Sequence, residues 1–104
     1  MIRMVVGVIA LFLIVGCGGP SVDRSDSLVV IDAGHGGHDS GATCDGKLEK
    51  DIVLGITKKL YKEFKSEGYK VYLTRSSDRF LTLGQRTRLA DKKDAAVFIS
   101  VHAN

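Results

Sequence analysis

Two histidines and a glutamate, His35, Glu49 and His102, are the residues whose types and placement could do chemistry in this chain. His35 follows the apolar run Leu28-Val29-Val30-Ile31, within Ile31-Asp32-Ala33-Gly34-His35-Gly36-Gly37. His102 follows a second apolar run, within Ile99-Ser100-Val101-His102-Ala103-Asn104. Two imidazoles and one carboxylate are a ligand set for Zn2+ that leaves its fourth position open. An open zinc site points to metal-assisted hydrolysis. A lone histidine is more often structural, so the metal reading requires a fold that brings all three side chains together.

The elements that must do this can be read from the apolar pattern. Leu28-Val29-Val30-Ile31 reads as a strand buried on both faces. Gly34 to Gly46 reads as a loop, with glycines at 34, 36, 37, 41 and 46 that let the chain turn sharply and approach a metal or substrate. Glu49 to Glu67 reads as a helix. Ile52, Ile56, Leu60 and Phe64 recur every four residues with Val53 and Tyr61 beside them, and this stripe is expected to face inward. Lys58, Lys59, Lys62 and Lys65 take the other faces, and Gly68 follows as a stop.

Tyr69 to Thr74 reads as a second strand. Thr82-Leu83-Gly84-Gln85 matches a capping box, which predicts a second helix to about Lys92 with Leu89 and Ala90 inward. Ala95 to Ile99 reads as a third strand, apolar on both faces. Strands of this kind alternating with helices predict an α/β fold of three-layer type, a mainly parallel sheet flanked by helices. Sites in such sheets form beyond the carboxyl ends of the strands. His35 and His102 both follow such ends, and Glu49 begins a helix on the same edge. Topology alone therefore sets the three on one rim.

Other residues near the rim admit several readings. Asp32 could hydrogen-bond a ligand imidazole or pin the loop. His38 competes as a ligand, but its place further from the strand end favours a loop or substrate-facing role. Cys44 lies in a turn-like setting before Asp45-Gly46 and reads as an incidental loop thiol, although it is close in sequence to Glu49. The glycine loop lacks the spacing and the Lys-Ser/Thr of a P-loop and does not match G-x-G-x-x-G, which argues against nucleotide binding. Arg75, Asp78, Arg79, Arg86 and Arg88 read as a solvated or salt-bridged surface, with contact to substrate carboxylates as a second reading.

The beginning of the chain reads as a targeting segment. Met1-Ile2-Arg3 is a short basic start, and Val5 to Val15 is apolar apart from Gly7. That run is shorter than the ~20 residues of a spanning helix and suits a secretory apolar region. Ile14-Val15-Gly16-Cys17 looks like a lipobox, with Cys17 the site of lipid attachment. The expected organisation is a lipoprotein signal peptide over 1–16, a lipidated tether over 17–27 and one domain over 28–104. The protein is then expected to be exported and held at a membrane by its lipid, facing the periplasm or cell wall. With Cys17 lipidated, Cys44 has no internal disulfide partner. The net charge is +3, of which Arg3 is the only charge within residues 1–16. So weak a balance argues against nucleic acid, while a mildly basic surface suits an anionic polymer such as a cell wall.

The residues also carry a family resemblance. Val30-Ile31-Asp32-Ala33-Gly34-His35-Gly36-Gly37-His38-Asp39-Ser40-Gly41-Ala42 resembles the opening motif of zinc-dependent N-acetylmuramoyl-L-alanine amidases. Leu48-Glu49-Lys50-Asp51 is similar to their glutamate motif. Leu73-Thr74-Arg75 through Asp78-Arg79-Phe80 is similar to their middle signature, and Phe98 to Asn104 to their second histidine motif. The resemblance runs through residues 28–104. It implies that His35, Glu49 and His102 bind one Zn2+. The implied reaction cleaves the amide joining the lactyl group of N-acetylmuramic acid to L-alanine of the stem peptide. Asn104 would help shape the site without a catalytic role.

Ala33 and Ser40 stand where this family often has proline, which should loosen the loop. The family's domain also continues past the second histidine motif, with further strands, a helix and a glutamate expected to act as general base. Glu63 and Glu67 do not match that position. The expectation is therefore an amino-terminal portion of the catalytic domain, incomplete at its C-terminus, from a fragment or a truncated gene product. Such a portion would carry the metal ligands but no catalytic base of its own, and general acid–base groups contribute ~10²–10⁴-fold. The partners implied are peptidoglycan and, through the lipid, a membrane; a protein activator is left open. The rival reading is a non-catalytic lipoprotein that binds zinc or cell wall.

Overall fold

The computed structural model describes residues 4–5 and 23–103. Leu28–Ala33 (β2), Lys70–Leu73 (β5) and Val97–Val101 (β6) form a parallel sheet with β2 at its centre. The backbone of Met4–Val5 (β1) runs parallel beside Phe98 and Ile99 of β6. Two short strands, Thr43–Cys44 (β3) and Lys47–Leu48 (β4), precede the helix Glu49–Ser66 (α1), and Leu83–Lys92 (α2) joins β5 to β6. The lipobox and Cys17 lie outside the described residues, as does Asn104. Among the described residues no helix is long and apolar enough to cross a membrane.

Sheet order explains the layers. From β2 the chain crosses through α1 to β5 on one side, then through α2 to β6 on the other. Right-handed crossovers in opposite directions put the two helices on opposite faces. Residues alternate between faces along a strand. Val30 of β2 and Phe98 of β6 are paired in register and pack with Ala90 of α2. The intervening residues Val29, Ile31 and Ala33 are buried on the other face, and α1 packs on β2 and β5.

Each helix covers the central strand and one neighbour. This corrects the expectation that the third strand, like the first, is buried on both faces, which holds for β2 alone. Val97 on the α1 side of β6 is 44% exposed, and Tyr72 on the α2 side of β5 is 37% exposed. The Lys93 ammonium sits 4.0 Å from the centre of the Tyr72 ring.

The helix stripe is also displaced from the expected one. Val53 and Thr57 are buried and Leu60 and Phe64 half-buried, while Ile52 and Ile56 are 37% and 40% exposed. Glu49 sets this rotation. Its carboxylate is 3% exposed, and the residues four and eight positions on follow it inward. Buried Thr57 is satisfied by donating to the Leu54 carbonyl at 2.9 Å.

The capping box of α2 forms as its sequence predicts. The Gln85 N–H donates to Thr82 Oγ1 at 3.1 Å, and the Thr82 N–H to Gln85 Oε1 at 2.8 Å. The end of the glycine loop, read as irregular, is a hairpin of β3 and β4. Its turn, Asp45-Gly46, has both φ angles positive at 49° and 75°, the pairing that favours Asp-Gly in two-residue hairpins.

Candidate metal centre

The chain leaves β2 through Gly34 into His35, which takes a left-handed φ of 62°. That conformation costs a non-glycine residue on the order of 1–3 kcal/mol and persists where surroundings impose it. Here two buried arginines impose it. Arg75 donates to the carbonyls of Ala33 at 3.0 Å and Gly34 at 2.9 Å. Arg86 donates to the carbonyls of Ala33 and, at 2.8 Å, His35. The chain then turns through a reciprocal backbone pair between Gly36 and Asp39, with N···O distances of 2.8 and 3.1 Å. The turn brings Asp39 Oδ2 to 3.0 Å from His35 Nδ1.

Glu49 is held from both ends of the rim. No side chain caps α1; loop carbonyls take up its free N–H groups instead. The Glu49 N–H donates to Ala42 O at 2.8 Å and the Lys50 N–H to Ser40 O at 3.1 Å. The carboxylate accepts from the Ala42 N–H at 3.1 Å and from the Ala103 N–H, past the end of β6, at 3.1 Å. Burial works against the charged form, yet these two N–H groups and His35 outweigh it and hold the Glu49 pKa below its ordinary value. The carboxylate is thus kept ionised, as a metal ligand must be.

His102 completes the group, its ring lying over Gly34, where any Cβ would collide with the imidazole. His35 Nε2 is 2.8 Å from Glu49 Oε2, His102 Nδ1 is 3.5 Å from the same oxygen, and the two ring nitrogens are 3.3 Å apart. Tetrahedral zinc with bonds of 2.0–2.1 Å separates its ligand atoms by about 3.3 Å. The three separations, from 2.8 to 3.5 Å, bracket that spacing, so the residues fit the ion. The side chains are 21% (His35), 3% (Glu49) and 33% (His102) exposed, so the group opens to solvent mainly on the His102 side.

The neighbouring candidates take other places. Asp32 touches neither imidazole. Its buried carboxylate accepts from Thr74 Oγ1 at 2.6 Å, Ser100 Oγ at 2.7 Å and Arg86 Nη1 at 2.9 Å, pinning β2 to β6, α2 and the residue after β5. His38 is exposed, its ring centre 4.1 Å from that of Phe80, and it stands outside the His35–Glu49–His102 group. Cys44 is exposed on the hairpin and also stands outside the group.

Arg75 and Arg86 correct the surface reading, since each is only 3% exposed. Arg79 and Arg88 are exposed, as expected. Asp78 ties the His38 turn to α1. It accepts from the Gly37 N–H at 2.7 Å and pairs with the Lys50 ammonium at 2.8 Å. The Lys50 hydrogen bond, with the Gly37 N–H, holds the Asp78 pKa below its ordinary value. Asp39 is a site residue to which sequence reasoning gave no role, and Arg86 one that it left on the surface. For Arg86 the signal is its position four residues before inward-facing Ala90, on the same helix face.

Comparison with known proteins supplies the family. Residues 29–104 match the N-acetylmuramoyl-L-alanine amidase family. The endolysin of Bacillus phage SPP1 is 52% identical over 79 residues, covering 74% of this chain and 29% of the endolysin. The catalytic domain of CwlV, an N-acetylmuramoyl-L-alanine amidase from Bacillus (Paenibacillus) polymyxa var. colistinus, superposes with a TM-score of 0.73 at 44% identity. That match covers 75% of this chain and 45% of CwlV. The CwlD amidase of Clostridioides difficile, solved in complex with the GerS lipoprotein, superposes at 0.71 with 35% identity, over 76% of this chain and 49% of CwlD. The chain thus spans less than half the length of these relatives. With the family match extending from β2 to its last residue, the chain belongs to the N-acetylmuramoyl-L-alanine amidase family.

Proposed function

We propose that this chain carries the zinc-binding part of a peptidoglycan hydrolase that cleaves the amide between N-acetylmuramic acid and L-alanine of the stem peptide. The observation that carries the reading is the convergence of His35 Nε2, Glu49 Oε2 and His102 Nδ1 at zinc-ligand spacing. These three atoms would hold the ion. Zinc bound there supplies Lewis-acid activation of a carbonyl and of a water nucleophile. The chain's own residues do the rest of the work at this edge. Glu49 supplies a negative charge that offsets part of the ion's charge. The Ala42 and Ala103 N–H groups fix the direction of its carboxylate, and the half-exposed His102 leaves an approach for a polymer.

The general base that the resemblance implies is not supplied by α1. Glu63 lies fourteen residues along the helix from Glu49, about 21 Å at 1.5 Å per residue. Glu67 lies beyond the helix end and pairs with Arg24 at 3.2 Å.

The test is zinc content and turnover on the purified chain, with His35→Ala as control. The expected result is one equivalent of zinc, lost in His35→Ala. Without the general base, release of stem peptides with a free L-alanine amino terminus from a defined muropeptide is expected to be slowed by ~10²–10⁴-fold, and what remains should be lost with the zinc. Zinc no higher than in the control would sink the metal reading. Zinc without peptide release would favour a binding role instead.

Export is part of the same proposal. The apolar run before Gly16-Cys17 supports processing at Cys17 and a lipid anchor there. In a bacterial host, Cys17→Ser is expected to move the protein from the detergent phase to the aqueous phase on detergent partitioning. An unchanged partition would rule out the lipid anchor.

A further inference from the structure

We propose that the groove between α2 and the segment before it is a subsite for the carboxylates of the stem peptide, with Arg88 and Lys92 the residues that select an acidic peptide. The proposal rests on the reading of the substrate given above. The groove holds about 570 Å³. Buried Leu81 and half-buried Leu89 give it an apolar lining. Exposed Arg79, Arg88 and Lys92 line it with positive charge, against the one carboxylate of Asp91. A concave apolar lining with a few charged groups is the make-up of a ligand site.

Their surroundings set these cations apart from others in the chain. Arg75, Arg86 and Lys50 each grip a carbonyl or a carboxylate. Among the described residues, none of Arg79, Arg88 and Lys92 makes an ion pair. Asp91 follows Arg88 by three residues without pairing with it. Arg88 and Lys92 are also like charges four residues apart on α2, neighbours that repel one another on a helix surface. An anion held between them turns that repulsion into attraction to both.

The groove is joined to the metal centre at one end. Arg86 donates to the carbonyl of Leu81, in the groove lining, at 2.9 Å and to that of His35 at 2.8 Å. The Arg79 carbonyl lies so close to Gly36, the residue after His35, that a Cβ there would collide with it. From this end α2 runs back along the sheet, carrying Arg88 and Lys92 away from the metal residues. A peptide with its amino-terminal amide at the metal would therefore lay its later residues, and the carboxylates they carry, along the groove.

The test is a titration of the metal-free chain with a soluble stem peptide that begins with L-alanine and has its carboxylates free, followed by backbone amide NMR shifts. Saturating shifts are expected at Leu81, Leu89 and Lys92. Arg88→Gln combined with Lys92→Gln should weaken binding by about 10-fold, the scale of a lost charge-assisted contact. Both side chains are exposed, so the fold should be kept. Lys58→Gln combined with Lys59→Gln removes the same charge from α1 and should leave the affinity within about twofold, because distant exposed charges are screened. The proposal would be overturned by an absence of shifts in the groove, by equal losses in the two double variants, or by equal binding of the same peptide with its carboxylates amidated. Saturation of the groove residues by phosphatidylglycerol vesicles and not by the peptide would also overturn it, making the groove a membrane contact. No arm of the test needs zinc, so a chain that binds no metal still decides the subsite, and a peptide that fails to bind leaves the metal reading standing.

Discussion

Arg86→Ala is expected to destabilise the chain by about 3–5 kcal/mol, the typical cost of removing one partner from a buried ion pair. Arg86 and Asp32 are 4% and 3% exposed at their side chains and 2.9 Å apart. Without the guanidinium, Asp32 keeps Thr74 and Ser100 as donors but loses its countercharge. The carbonyls of Ala33 and His35 also lose a donor, and a buried acceptor left unsatisfied adds about 1–3 kcal/mol. Domains of this size are stable by only about 5–15 kcal/mol, so the variant should unfold at low urea or be unfolded throughout. Arg88→Ala on the exposed face of α2 is the comparison, expected within about 0.5 kcal/mol of the parent. Equal urea midpoints for the two variants would show that the buried pair does not hold the rim.

The second large effect falls on the metal and spares the fold. Gly34→Ala places a Cβ within 3.0 Å of three atoms of the His102 ring. The Gly34 backbone is not among the left-handed glycines, so alanine fits the chain path. The clash falls on a side chain that is 33% exposed and can swing into solvent. The fold should survive with one ligand displaced. Zinc affinity should drop by more than about 100-fold, beyond the 10–100-fold range of residues that stand behind a ligand. Calorimetric zinc titration with circular dichroism of the same sample checks both parts. Parent-like affinity would mean that the Gly34–His102 packing does not aim the ring.

These two cases show what was legible in the sequence and what was not. The meeting of His35, Glu49 and His102 was legible because parallel strands end on one edge and a helix begins there. The rotation of α1 was not. Hydropathy prefers Ile52 and Ile56 over Val53 and Thr57, and it counts Glu49 as a residue for solvent. Glu49 is turned inward by backbone N–H groups that sequence pattern does not display. Arg86 was misread for the same reason. A guanidinium belongs on the surface unless a buried carboxylate and bare carbonyls wait for it, and Asp32, within an otherwise apolar strand, was the sign that they do. The exposure of Val97 and Tyr72 follows from which two strands each helix spans, and apolar runs alone do not carry that.

The hydrogen bond from Ala103 to Glu49 has a consequence for how the molecule assembles. It joins residues 54 positions apart, and the two histidines it accompanies are 67 apart. Contacts of such long sequence separation close large loops and come late in folding. β2, α1 and β5 can associate locally, but the third ligand arrives only when β6 has docked beside β2. An ion held by these three residues would therefore have no complete site on a half-assembled chain and would bind the finished sheet edge selectively. At a free concentration 100 times its dissociation constant, such a ligand adds about 2.7 kcal/mol to the folded state. Metal uptake would then act as a late latch on the rim.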